Sequence, residues 1–257
     1  MGLCQNTMVL WLASKKTQVK KTKTCWMVFW QSSTQKLMRC LVTKLSAKLI
    51  AVTQPVIGVP AANAEALVAY CARVSNPANQ DNPDYSGLLN YCIRNRHWSV
   101  FEMANAVVEV EAPRDISRQL LRHRSFSFQE FSQRYSDEIE FTEREFRRQD
   151  TKNRQNSVDD LHKSVQDKFK NIVETLAFEA QHLYNNMRQY SIAKETARVI
   201  LPEGLTMSRL YVNGTLRSWL HYLDVRDDEG VTQWEHVLLA RHIREALAPA
   251  FPTVLGK

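Results

Sequence analysis

The clearest pattern lies at 106–111, where apolar and charged residues alternate. Val108 and Val110 fall on one face, Glu109 and Glu111 on the other. A period of two with one oily face predicts a half-buried antiparallel strand. Residues 44–53 alternate more loosely and end β-branched, and 209–212 is a third candidate strand. Helical spacing appears around them. Within 64–74, Leu67, Val68, Cys71 and Val74 recur every three or four residues, with Asn63 placed as an N-cap. Within 85–95, Leu88, Leu89 and Cys92 share a side. The intervening 76–84, rich in Asn, Asp and Pro, reads as a loop.

Pro113 suits the first position of a helix whose buried side is marked by Ile116 and Leu120. Residues 143–156 are strongly charged without apolar period, which predicts an exposed loop or a solvated helix start. There Arg144, Arg147 and Arg148 are expected to make surface ion pairs. Ser157-Val158-Asp159-Asp160 reads as a capping box opening a long helix. Along that helix Leu161, Val165, Phe169, Ile172, Leu176, Ala180, Leu183 and Met187 stand three and four apart. Such a stripe packs, either within the domain or between subunits. Further helices are predicted over 192–201, stopped by Pro202, over 215–225, and over 233–247, ended by Pro249 and Pro252. No repeat or linker interrupts 38–257, so the expectation is one domain of α+β class, an antiparallel sheet with long helices.

Charge changes the picture at one end only. The net charge is +7, but residues 1–37 carry six lysines and no acid; without them 28 basic residues face 27 acidic ones. The body is therefore nearly neutral, which argues against nucleic acid as its partner. In 1–37 the lysines follow the apolar Met8–Ala13 run, the reverse of a secretory signal. That segment is expected to be a disordered basic extension, with the functional chain starting near Met38. No apolar run approaches the roughly 18 residues of a membrane span, so no membrane partner is expected. Five cysteines without a Cys-x-x-Cys pair suggest reduced thiols and a cytoplasmic location, with Cys71 and Cys92 as small core residues.

Candidate chemistry centres on Arg122-His123-Arg124, followed by Phe126, Phe128, Glu130, Phe131, Ser132 and Arg134. Charge interleaved with large aromatics suits a partly enclosed pocket for something flat and anionic, because guanidinium groups hold phosphates through paired hydrogen bonds. On spacing alone His123 falls near the Ile116–Leu120 stripe, where a histidine is more often a hydrogen-bonded core residue; the flanking arginines favour a site. Seven glycines form neither a Rossmann turn nor a P-loop, so any nucleotide must be held by side chains. No His-Glu-x-x-His or Cys/His spacing suggests a metal, and Ser132 lacks a nucleophile elbow.

The run Arg122-His123-Arg124, seven residues, Ser132, then Gln133-Arg134-Tyr135-Ser136 resembles the signature of the flavin-dependent thymidylate synthases. Two further anchors occur in that family's order. One is His97-x-Ser99-x-x-Glu102. The other comprises Ala197-Arg198-Val199-Ile200-Leu201-Pro202, then Arg217, His221, Arg226 and Gln233-Trp234-Glu235. The resemblance covers roughly residues 40–250. It implies a homotetramer that methylates deoxyuridylate (dUMP) to thymidylate, with FAD as hydride carrier and with NADPH and methylenetetrahydrofolate as the nicotinamide and folate co-substrates. By the same resemblance Ser99, Arg122, His123 and Arg124 bind the flavin dinucleotide and Glu102 shapes that pocket. Arg217 and His221 contact the flavin, and Glu130 belongs to the flavin-binding set as well as the dUMP-binding one. Gln119, Glu130, Ser132, Arg134, Arg198 and Arg226 bind dUMP, and His97 lies at the flavin ring. Arg226 is the residue expected to polarise the uracil carbonyl, and Ser132 is expected to hydrogen-bond without acting as a nucleophile. Many members of the family have an asparagine near Thr215 and a histidine in the segment after Arg226; here that segment is Asp227-Asp228-Glu229-Gly230-Val231, without a histidine.

Overall fold

The computed structural model describes residues 45–256, which fall in one compact unit. The basic extension predicted over 1–37 lies outside the described residues. The unit is built on a four-stranded antiparallel sheet formed by β1 (Ser46–Val52), β2 (Asn105–Pro113), β3 (Ser127–Glu130) and β6 (Met207–Thr215), in the order β1-β2-β6-β3. Two short strands, β4 (Arg148–Gln149) and β5 (Ser157–Val158), make a separate hairpin.

The alternation in β2 does what it predicts. Ala106, Val108, Val110 and Ala112 point into the core. Leu210 and Val212 of β6 join them, with Leu210 opposite Val110 and Val212 opposite Val108. Each fully buried valine or leucine contributes about 1.5–3 kcal/mol. On the other face Glu111 sits opposite Arg209, whose Nη2 is 2.8 Å from its Oε1. β3 was not foreseen: four residues of the arginine-rich signature pair with β6, Phe128 facing Val212.

The inner face is covered by helices. α1 (Ala64–Ala72) is capped by Asn63, which accepts from the Ala66 N–H at 2.9 Å as expected. Its buried side differs from the predicted stripe: Ala64, Glu65, Val68 and Ala69 are inside, while Val74 is 70% exposed. The reason is Glu65, which is fully buried because its carboxylate caps the last helix, α8 (Pro252–Leu255), accepting from the N–H groups of Thr253 and Val254. The 76–84 loop is held by Arg73, which donates to the carbonyls of Asn82 and Asp84. α2 (Ser86–Arg94) buries Leu89 and Cys92, and burial pushes the Cys92 thiol pKa up. A 3₁₀ segment, Trp98–Met103, leads into β2.

Pro113 closes β2 and precedes α3 (Arg114–Leu120) instead of opening it, and Ile116 and Leu120 are buried as predicted. The capping box at 157–160 is overturned. Ser157 and Val158 pair with Gln149 and Arg148, and α4 (Lys163–Gln189) starts later, capped by the His162 ring. α4 buries Ala177, Ala180 and Tyr184, and Asp137 ties it to the body through Tyr184 and Arg188. The rest of its stripe, Val165, Phe169, Ile172, Leu176 and Leu183, is exposed. α5 (Lys194–Ala197) runs into a 3₁₀ turn, Arg198–Ile200. Thr215 caps α6 (Leu216–Arg226), whose Trp219 indole donates to the Ala106 carbonyl of β2 at 3.2 Å. α7 (Trp234–Leu247) packs across β1 and β2.

Candidate active site

Two groups of candidate side chains emerge. The first lies where the end of α3 meets α6 and α7. The turn after α3 carries His123, and the last residue of α6 is Arg226; Arg226 Nε donates to His123 Nε2 at 2.9 Å. That imidazole must therefore be neutral, with its proton on Nδ1. Burial, helped by the charges of Arg226, His221 and Arg122, pushes its pKa down to about 4. Burial also lowers the Arg226 pKa, with Arg122 adding to the effect. The terminal nitrogens of Arg226 have no partner among the described residues, and Arg122 and Arg124 are exposed without carboxylate partners there. Arg122 and Arg226 are near enough for each charge to disfavour the other, and unneutralised cations held this way favour an anion between them.

Behind them stands a polar layer. Tyr222, fully buried, meets the His123 ring edge-on at 5.1 Å and hydrogen-bonds His236 at 3.1 Å. His236 is also fully buried, and desolvation first, then Arg226 and His123, pushes its pKa down to about 3. Gln119 joins His236 at 3.2 Å and Gln233 at 2.8 Å. At the other end of α6 Glu102 pairs with Arg217 at 2.6 Å. His97, Ser99 and His221 are exposed, His97 edge-on to Tyr91.

The second group lines a cleft of about 410 Å³ whose walls include Arg114, Arg118, Gln133, Arg198 and Glu203. At the end of β3, Glu130 lies beside the cleft's Arg114, whose Nη1 is 3.5 Å away, and accepts from Ser208 Oγ at 2.9 Å. Arg134 lies beside Glu195 of the cleft wall at 3.5 Å. The Ser132 hydroxyl accepts from the Arg134 N–H at 3.3 Å. Among the described residues no histidine or carboxylate hydrogen-bonds Ser132, and no group of three or more His, Cys, Asp or Glu is placed to hold a metal.

The single chain thus gathers Gln119, Arg122, His123, His221 and Arg226 in one group. Of the rest, Arg198 lines the cleft, and Glu130 and Arg134 lie beside its Arg114 and Glu195. Arg144 corrects an expectation. It is not a surface arginine; its side chain is 14% exposed and bonds Asp115 at 2.7 Å, with Glu235 at 3.6 Å. Arg147 lies over the Trp234 ring at 5.0 Å, and only Arg148 makes the expected surface pair, with Asp160. Arg114, Arg118, Tyr222 and His236 were not singled out from sequence. Gln233 and Glu235 were visible as an anchor without a role.

An α+β domain with an antiparallel sheet and arginines that lack carboxylate partners among the described residues defines a class of protein suited to anionic ligands. The match is specific: residues 58–253 fit the family described as thymidylate synthase complementing protein. The chain belongs to that family, the flavin-dependent thymidylate synthases. It is 48% identical over 213 residues to the flavin-dependent thymidylate synthase of Synechocystis sp., covering 82% of this chain and 97% of that one. Identity and coverage are the same for a probable flavin-dependent thymidylate synthase of Paramecium bursaria Chlorella virus 1. Among solved structures it resembles the UMP/dUMP methylase PolB from Streptomyces cacaoi bound with 5-Br dUMP. The TM-score is 0.70 at 25% identity, covering 84% of this chain and 95% of that one. Among the described residues no helix is long and apolar enough to cross a membrane.

Proposed function

We propose that this protein converts dUMP to thymidylate by reductive methylation, with methylenetetrahydrofolate giving the carbon, NADPH the reducing equivalents and FAD carrying hydride between them. The observation that carries the reading is Arg226. A half-buried guanidinium, aimed by a neutral histidine and with its fork uncommitted, is suited to a uracil carbonyl that gains negative charge as hydride reaches the ring. Arg122 and Arg124 fit the flavin pyrophosphate, since both are exposed cations without carboxylate partners among the described residues. Ser99, Glu102, Arg217 and His221 would complete the flavin set, Glu102 and Arg217 as an ion pair and His221 from beside His123. When bound, the flavin supplies the redox chemistry; the chain supplies position and charge.

Arg198 and Arg134 suit the dUMP phosphate, with Ser132 and Glu130 bonding the nucleotide and Gln119 reaching it from the Arg226 side. Among the described residues Ser132 has no base to activate it, which supports a hydrogen-bonding role. The two groups would complete one site when chains associate, and the exposed α4 stripe supports the homotetramer. Flavin absorbance of the purified protein, together with tritium release from dUMP labelled at C5, tests the reading. A colourless protein without tritium release would sink it.

A further inference from the structure

Gln119 is the middle of a hydrogen-bond chain that links Tyr222 and His236 on one side to Gln233 and Glu235 on the other. Its direction can be worked out from the far end. The Glu235 carboxylate only accepts, so Gln233 Nε2 donates to its Oε2 at 3.0 Å. The Gln233 oxygen then faces Gln119, whose Nε2 donates to it at 2.8 Å. The Gln119 oxygen is left facing His236, so Nδ1 of that ring carries the proton, and the Tyr222 hydroxyl donates to Nε2. Four successive bonds point one way and polarise one another. The anchor is Arg144, which lies between Glu235 and Asp115. Reversing the Gln119 amide would set nitrogen against N–H at one end and oxygen against oxygen at the other.

We propose that Arg144, Glu235 and Gln233 are positioning residues for nucleotide binding, fixing the Gln119 amide so that its second Nε2–H meets an acceptor oxygen of the substrate. That hydrogen has no acceptor among the described residues. The assignment rests on the reading that Gln119 contacts dUMP, and it adds three residues, on α7 and in the 143–156 segment, that act through it. Arg144 holds the carboxylate, the carboxylate holds Gln233, and Gln233 holds the amide.

A double-mutant cycle on the holoenzyme tests this. Gln119→Met and Gln233→Met should each raise the KM for dUMP about tenfold while kcat falls less than about threefold, as expected for one lost hydrogen bond in binding. The double variant should be no worse than either single one. Glu235→Gln keeps the shape and weakens the anchor, so it should give a smaller KM rise; it serves if Gln233→Met does not fold. Effects of Gln119→Met and Gln233→Met that multiply would overturn the assignment, as would a Gln119→Met variant with unchanged KM. Failure of the unmodified protein to turn over dUMP would overturn the functional reading and this assignment together; turnover with multiplicative effects overturns the assignment alone.

Discussion

Arg226 donates its Nε–H to Nε2 of His123 across 2.9 Å, and that one bond settles both groups. The imidazole is held neutral, and the guanidinium is turned so that its fork faces away from the ring. Arg226→Lys removes the fork and keeps the charge. It should lower kcat by roughly 100-fold or more, in line with loss of a donor aimed at developing charge, while flavin absorbance of the purified variant stays near normal.

Two imidazoles make the fold sensitive to acid. His123 and His236 take a proton near 6.5 when unfolded, but only near about 4 and about 3 in the fold. Below pH 6.5 the unfolded chain therefore binds more protons, and stability falls as pH falls through that window. Each such group can contribute a slope of up to about 1.4 kcal/mol per pH unit. Melting temperatures from pH 7 to 4 should drop less steeply in His236→Gln than in the parent; parallel curves would remove His236 from the account.

Glu65 accepts from two backbone N–H groups of α8 while fully buried. Glu65→Gln keeps the shape but loses charge and should cost about 1.5–3 kcal/mol, read as a lower denaturation midpoint. An unchanged midpoint would mean that solvent replaces the cap.

The apolar stripe of α4 should be covered in the assembled protein. Ile172→Glu, at a position 53% exposed in the single chain, should leave the monomer folded and shift the species seen by light scattering to a smaller one. An unshifted assembly would place the subunit contact elsewhere.

Gly214 lies opposite Ala106 in β6, and a Cβ there would run into the Phe126 ring. Gly214→Ala should cost about 1–3 kcal/mol by overpacking, measured by thermal or chemical unfolding. The same substitution should disturb the flavin side, since Phe126 follows the Arg122–Arg124 turn and packs on Trp219 at 4.4 Å.

The sequence was most legible where a period ran long enough to select one structure. The alternation at 106–111 found β2 and the core face, and Ile116 and Leu120 marked the buried side of α3. Short or long-range features were not legible. β3 has four residues, too few for a period, and it forms only because β6 is there to pair with. Ser157 looked like a helix cap because a local pattern cannot show that Gln149 will take it into a hairpin. Arg144 was lost in a charged run for the same reason: its partners Asp115 and Glu235 come from other parts of the chain. The arginine signature identified most candidate site residues, but spacing could not show that the chain holds them as two separate groups.

The bond from Glu65 to the turn at Pro252–Leu255 also has a consequence for synthesis. The first helix of the described domain carries an acid that meets its donors only when nearly all of that domain has been made. Until residues 252–255 leave the ribosome, that carboxylate must stay in water, and the α1 face around Ala64 and Val68 cannot settle. Final consolidation of the domain would then wait until both ends of the fold are free to meet.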